Sequence, residues 1–186
     1  TERSDPKGHM PAPTLHTSRL TLRALTMGDL EQLCGLFGTN RARHMGGPIP
    51  QIQAWRWLAS EVAMWDLLGH GSWAIAAQDG RFLGQIGLIQ PPHFPELELG
   101  WTLLEQAEGH GYAYEAAAAV RIWASTQGHK TLVSYISPDN RRPSALAQRL
   151  GALHDQAAPL PTGETAAETL VYRHSLETFS LDNDGA

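Results

Sequence analysis

The stretch Gln106-Ala107-Glu108-Gly109-His110-Gly111-Tyr112 sets two glycines, one residue apart, just ahead of an alanine-rich run. Glycines at that spacing let backbone N–H groups turn outward and approach a ligand closely, and a helix starting there adds the positive end of its dipole. Such a loop suits an anion, with a pyrophosphate as the obvious guest. Two familiar phosphate loops do not fit. A Walker loop ends in Gly-Lys-Ser/Thr after a longer glycine loop, whereas Gly128-His129-Lys130-Thr131 falls where a helix gives way to a strand. The dinucleotide fingerprint needs a third glycine, and Ala113-Tyr114 stand there instead. Metal chemistry is not expected: the nine histidines are scattered, without metal-ligand spacing, and Cys34 is the only cysteine.

The elements around that loop follow from periodicity. Leu15 to Leu25 alternates as a first strand, and Thr26 caps a short helix carrying Leu30, Leu33, Leu36 and Phe37. After the break from Gly46 to Pro50, a helix from Gln51 to Leu68 shows a stripe of Trp55, Leu58, Val62 and Trp65, which leaves Trp57 off the stripe as a pocket candidate. Ser72–Gln78 and Arg81–Gln90 read as a hairpin turned by Asp79-Gly80, followed by a strand from Glu96 to Leu104. A helix from Gly111 to Gln127 is expected to bury Ala113, Ala116, Ala117, Val120, Trp123 and Ala124. Thr131–Ser137 is a β-branched strand, Pro143–Leu150 a short helix closed by Gly151, and Glu168–His174 a last strand. Two strands joined through a packed helix, as Glu98 to Ser137 would be, lie parallel. The expected class is a single α+β domain.

Composition limits what such a domain does. The 186 residues make about one domain, and 42% apolar content supports a real core. A net charge of −5 argues against a nucleic-acid coat, and no stretch approaches a membrane span. The single cysteine fits a reducing, cytoplasmic compartment. Residues 1–13 are set aside as a disordered tag remnant, on account of Gly8-His9-Met10, the domain is placed at 14–176, and 177–186 is expected to be a flexible tail.

The glycine loop resembles the Q/R-x-x-G-x-G/A loop of the GCN5-related N-acetyltransferase (GNAT) superfamily, which grips the pyrophosphate of acetyl-coenzyme A. Further matches lie in order along the chain. Glu98-Leu99-Gly100-Trp101-Thr102-Leu103 resembles the family's fourth strand, and Gly111-Tyr112-Ala113-Tyr114-Glu115-Ala116 its G-Y-A-T-E-A helix start. Pro138-Asp139-Asn140 with Leu146 to Gly151 resembles P-x-N…L-A-E-R-L-G. The opening Leu15 to Arg23 resembles the T-x-R-L-x-L-R start of the branch containing ribosomal-protein N-terminal acetyltransferases. The resemblance implies a mixed, mostly antiparallel twisted sheet with helices on both faces and a parallel splay between its fourth and fifth strands.

The activity implied is direct transfer of acetyl from acetyl-coenzyme A to a primary amine, on a protein N-terminus or a small molecule. The alternative is a catalytically silent coenzyme A-binding sensor or interaction module. By resemblance, Trp101, Thr102 and Leu103 offer backbone hydrogen bonds to pantetheine, Gln106, Ala107, Glu108, Gly109, His110, Gly111 and Tyr112 hold the pyrophosphate, and Asn140 touches the pantetheine arm. Asn140 also reads as an Asx cap for the next helix. Glu98 is the first candidate base, with Glu96 competing on the same face. The tyrosine many relatives carry near the end of the last helix is Ala147 here, which leaves Tyr135 and Ser144 as candidate acids. Glu108 replaces the usual aromatic or basic residue and is expected to turn to solvent and weaken cofactor binding, so that Glu108→Arg would tighten it. Expected partners are a peptide or small-molecule amine, without nucleic acid or membrane, for a monomer or homodimer.

Overall fold

The computed structural model describes residues 11–38 and 48–176. The expected tag up to residue 10 and the tail from 177 lie outside them, as does part of the break after α1. In chain order the elements are β1 (Leu15–His16), β2 (Leu20–Ala24), α1 (Leu30–Phe37), α2 (Gln51–Leu68), β3 (Ser72–Ala77) and β4 (Phe82–Ile89). They continue with β5 (Glu98–Leu103), α3 (Tyr112–Thr126), β6 (Thr131–Ile136), α4 (Arg141–Arg149), β7 (Leu153–His154) and β8 (Leu170–Ser175). The sheet runs β1-β2-β3-β4-β5-β6-β8-β7, antiparallel everywhere except at the β5–β6 pair. This is the expected α+β architecture.

Alternation along three neighbouring strands decides what each face carries. Trp73, Ile86 and Trp101 are in register across β3, β4 and β5 on one face. There Trp123 of α3 packs edge-on against Trp73, their ring centres 5.3 Å apart, and Trp65 from the end of α2 closes the cluster at 4.7 Å. Ser72, Gly87 and Gly100 are in register on the opposite face, where Glu61 of α2 accepts a hydrogen bond from the Ser72 hydroxyl. Helices therefore cover both faces.

Four local expectations need correction. The first strand is two: Thr17 turns the chain, its N–H donating to the Leu20 carbonyl while its hydroxyl accepts from the Leu20 N–H, so β1 folds back on β2. Residues 11–13 join the fold rather than the tag: Ala12 is buried, and the Pro13 carbonyl accepts from Trp73 Nε1 at 2.7 Å. The buried stripe of α2 keeps the expected Leu58 and Trp65 but runs through Ala54 and Glu61 in place of Trp55 and Val62, and Trp55 is 44% exposed. On α3, Trp123 and Ala113 are only half-buried, while Arg121 is buried and donates to the Leu150 carbonyl at 2.7 Å.

The parallel pair parts almost as soon as it forms. Glu98 opposite Val133 is its one register pair, and the Val133 N–H donates to the Leu97 carbonyl at 3.0 Å. One step on, the Leu99 carbonyl is taken by the Ser134 hydroxyl at 2.7 Å instead of by a β6 N–H. His174, fully buried, lies 3.0 Å from the same hydroxyl. Burial, and then the nearby Arg121, holds its imidazole down to about 4. Neutral histidine can therefore donate from Nε2 to the serine oxygen. The rest of β5, Gly100 to Leu103, is paired only on its β4 side.

Candidate active site

The glycine loop sits at the C-terminal end of β5, where the strands have parted. A short 3₁₀ turn, Glu105–Ala107, consumes the N–H groups of Ala107 and Glu108 and seats Ala107 in the core. Gly109 and Gly111 then adopt φ of +80° and +79°, a left-handed conformation that glycine tolerates and other residues strain to hold. Gly111 is the N-cap of α3, with no side-chain cap. Among the described residues, the N–H groups of Gly109, His110, Gly111 and Tyr112 have no carbonyl partner in the loop. Successive free N–H groups at a helix N-terminus form an anion cradle.

The cradle is locked from below by two segments that the sequence keeps about a hundred residues apart. Glu115, one turn into α3, accepts from Thr17 Oγ1 at 2.6 Å, Ser18 Oγ at 3.0 Å, Arg19 N at 2.9 Å and Arg19 Nε at 2.7 Å. Burial alone would raise its pKa, but these hydrogen bonds together hold the carboxyl down to about 2. Arg19 also donates to the His110 carbonyl at 2.9 Å and lies over the Tyr112 ring at 4.8 Å. It thus places a cation beneath a loop that has no lysine or arginine of its own.

Glu108 does not turn freely to solvent: it is ion-paired with Arg142 from the first turn of α4. The carboxylate that looked adverse to a pyrophosphate is neutralised, and it holds a guanidinium at the mouth of the cradle. Glu108→Arg would set two guanidiniums against each other, so the expectation for that variant is withdrawn. Glu108→Gln instead releases Arg142 and removes the negative charge. It is expected to tighten coenzyme A binding roughly twofold to fivefold by calorimetry at low salt, fading as salt rises; unchanged affinity would contradict this.

Asn140 occupies the N-cap position of α4 but makes no side-chain cap bond, so the capping alternative is not realised and its amide is available to a ligand. Ser144 donates to the Asn140 carbonyl at 3.3 Å within its own helix, and no contact joins it to Glu98 or Tyr135 among the described residues. Ala147 is fully buried in a small cluster with Ile136, Ala152 and Tyr172, so no hydroxyl reaches out from that position.

Glu98 lies at the start of the splay. The residue is half-buried, with its carboxylate lying over Gly100. Burial, opposed by the donating Tyr135 N–H and reinforced by the charges of Glu61 and Glu164, pushes it up to about 8. Glu96 does not compete: Arg173 grips both its oxygens, at 2.7 and 2.9 Å, and also holds Asp155 at 2.7 Å. Tyr135 lies two residues beyond Val133, the partner of Glu98, so phenol and carboxylate project from one face. Its hydroxyl is buried without a hydrogen-bond partner, and burial, then Glu96, pushes it up to about 12. Among the described residues no group of histidine, cysteine or carboxylate side chains is arranged to hold a metal.

An acetyltransferase (GNAT) domain model matches residues 19–153, nearly three-quarters of the chain. The chain belongs to the GNAT acetyltransferase family. An acetyltransferase from Agrobacterium tumefaciens str. C58 is 44% identical, with 88% of this chain and 94% of that one covered and a TM-score of 0.81. The fold also matches an acetyl transferase from Salmonella typhimurium that modifies the N-terminal serine of ribosomal protein L7/L12, at 18% identity, 86% and 96% coverage and a TM-score of 0.68. A third match is the microcin C7 self-immunity acetyltransferase MccE, in complex with acetyl-CoA and AMP, at 16% identity, 86% and 93% coverage and a TM-score of 0.68. This GNAT chain is an acyltransferase that uses acetyl-coenzyme A and transfers acetyl to amines.

The features that fit acetyl-coenzyme A are structural: the four N–H groups of the GNAT loop for the pyrophosphate, and the unpaired edge of Gly100 to Leu103 for an extended amide-bearing arm. Arg19, Arg142, Glu61 and Ser72 were not singled out from sequence. Arg19 lay in plain view in the T-x-R-L-x-L-R run, and Glu61 sat between two tryptophans on a helix judged by its aromatics.

Proposed function

We propose that Glu98 is the base that takes the proton from a primary ammonium, that Tyr135 donates a hydrogen bond to the departing thiolate, and that the acceptor is a peptide N-terminus. The half-buried Glu98 carboxylate, lying over Gly100 at the mouth of the β5–β6 splay, carries this reading. A glutamate of ordinary acidity is a poor base toward an ammonium, whereas one pushed up to about 8 is matched to near-neutral operation. Tyr135, pushed up to about 12, stays a phenol through the working pH range and can donate a hydrogen bond to the sulfur as negative charge develops there, and no protein acceptor competes for that proton. Tyr135 is favoured over Ser144, whose hydroxyl is occupied on α4.

Acetyl-coenzyme A supplies an activated acetyl thioester when bound. The N–H groups of Gly109 to Tyr112 would hold its pyrophosphate, Trp101 and Leu103 would present backbone groups to its pantetheine arm, and Asn140 would donate its amide there. These residues orient the thioester toward Glu98, and fixed orientation is itself a large part of catalysis in a two-substrate reaction. Thr102 and the buried Ala107 support the strand and the loop, and the free N–H groups take the direct contacts.

A peptide acceptor is favoured by the opening Thr17 to Arg23, which the structure ties to the cofactor loop through Glu115, and by the fold shared with the Salmonella enzyme. A cytoplasmic address follows from the lone Cys34, and one chain carries every residue named, so a monomer suffices. The test is thiol release with acetyl-coenzyme A and a hexapeptide bearing a free N-terminal serine, beside the same peptide N-terminally blocked, spermidine and an aminoglycoside. Turnover is expected on the free peptide alone. Turnover confined to the small amines would overturn the peptide reading, and binding without turnover on any amine would favour the silent module.

A further inference from the structure

The register of β3, β4 and β5 puts two glycines side by side where side chains would otherwise fill the sheet face. A Cβ at Gly87 would meet Ser72 Oγ at 2.1 Å, so the serine hydroxyl lies over Gly87. A Cβ at Gly100 would meet Glu98 Oε1 at 3.5 Å, so the Glu98 carboxylate lies over Gly100. Gly87 and Gly100 are a register pair. Side-chain positions opposite one another on neighbouring strands are about 5 Å apart, so the serine oxygen and the carboxylate lie over adjacent positions of one sheet face. Behind Ser72 stands Glu61, 4% exposed, accepting the serine proton in a hydrogen bond. One residue pair further along the same face, Gln85 is 5% exposed and its Oε1 has no partner.

A buried glutamate in the middle of a helix stripe is costly unless something uses it. The Glu98 base reading gives it a use. We propose that Glu61, through Ser72, is the second carboxylate of a two-carboxylate acceptor site, tuning Glu98 as a base and presenting net negative charge to a primary ammonium. The ammonium N–H bond breaks and a Glu98 O–H bond forms, turning one cation and one carboxylate into a neutral amine and a neutral acid. Glu61 keeps its charge throughout and its repulsion makes Glu98 the more basic of the two. The three N–H donors of a primary ammonium find acceptors in Glu98 and in the free Gln85 Oε1.

Burial, eased by the Ser72 hydrogen bond, pushes Glu61 up to about 7, and burial pushes Glu98 up to about 8, so the two carboxyls titrate over overlapping ranges. The other groups facing Glu98 are Glu164 from the loop before β8 and Tyr135 on β6, with Glu96 and its partner Arg173 beyond the phenol. None of these acts through Ser72. This separates the proposed coupling from the general charge of the site.

The experiment is carboxyl-carbon NMR titration of the protein carrying labelled glutamate, with coenzyme A binding measured alongside. In the wild type the Glu98 signal is expected to show two coupled steps, one of them following Glu61. In Glu61→Gln its midpoint should fall by about one pH unit, and the rising limb of kcat/KM against pH should move down with it. Ser72→Ala removes the bond that lowers the Glu61 pKa, so Glu61 stays neutral longer and Glu98 should again titrate earlier. Coenzyme A affinity should stay within about twofold in both variants, since neither touches the cradle. A single-step Glu98 curve in the wild type, or a midpoint unmoved in whichever variant folds, overturns the coupling. Loss of coenzyme A binding by the wild type would instead overturn the cofactor reading on which it rests.

Discussion

Glu98→Gln is expected to lower kcat/KM roughly a hundredfold to ten-thousandfold, the range in which a positioned base contributes, while leaving coenzyme A affinity unchanged. The reason is local. The substituted amide would fill the same space over Gly100 and could still accept from the Tyr135 N–H, but could not take a proton. The pH dependence supplies a second signature. A base must be deprotonated to act, so wild-type kcat/KM rises with pH and levels off above about 8. The residual activity of the glutamine variant should lose that limb and follow only the ionisation of the free amine. A variant with near wild-type kcat/KM and the same pH limb would place the base elsewhere. Glu96 is not a substitute, since its ion pair with Arg173 engages both its oxygens.

Gly111→Val is expected to weaken coenzyme A binding by about tenfold or more. At φ +79° a residue with a side chain costs roughly 1–2 kcal/mol, and a β-branched one sits at the upper end. The obstacle is not space, because a Cβ there would meet only Arg19 Nη2 at 3.5 Å. The loop can keep its shape and lose stability, or relax to a right-handed conformation and turn its N–H groups away from the ligand. Relaxation is local and costs less, so binding suffers most. Gly80→Val is the control: φ is +85° with nothing within 4 Å, in the β3–β4 hairpin away from the loop. It should lower Tm comparably and leave coenzyme A binding intact. Equal losses of affinity in both variants would mean that general destabilisation, not the cradle, sets binding.

The sequence carried the order of elements because each had a local cause: the Asp79-Gly80 turn, the β-branched run at Thr131, the small-residue face of α3. It carried the cradle because glycine spacing and a helix start are local too. What it hid depends on pairings between distant residues. Reading α2 by its apolar residues found Leu58 and Trp65 but chose Trp55 and Val62, each ~100° around the helix from the buried neighbour, where Ala54 and Glu61 face inward. Ser72 is unremarkable until register sets it opposite Gly87. Glu108 looked adverse because Arg142, on another element, could not be seen beside it. The anchoring of the Thr17 turn was invisible as well, since Glu115, which adds to its local Thr17–Leu20 bonds, lies about a hundred residues further on.

Tyr135 and Ser144 were indistinguishable by type, and burial separates them. One hydroxyl is enclosed and unpartnered on the face that carries Glu98; the other is spent on the carbonyl of Asn140.

Mass spectrometry of a single turnover decides whether transfer is direct. The protein is mixed with stoichiometric acetyl-coenzyme A and the free serine-terminated hexapeptide, then stopped at intervals across the reaction. Direct transfer with Glu98 as base predicts one thiol released per acetylated peptide, acetyl on the peptide's α-amine alone, and intact protein whose mass never changes. Acetyl appearing on the protein before the peptide, or thiol released without acetylated product, would contradict it.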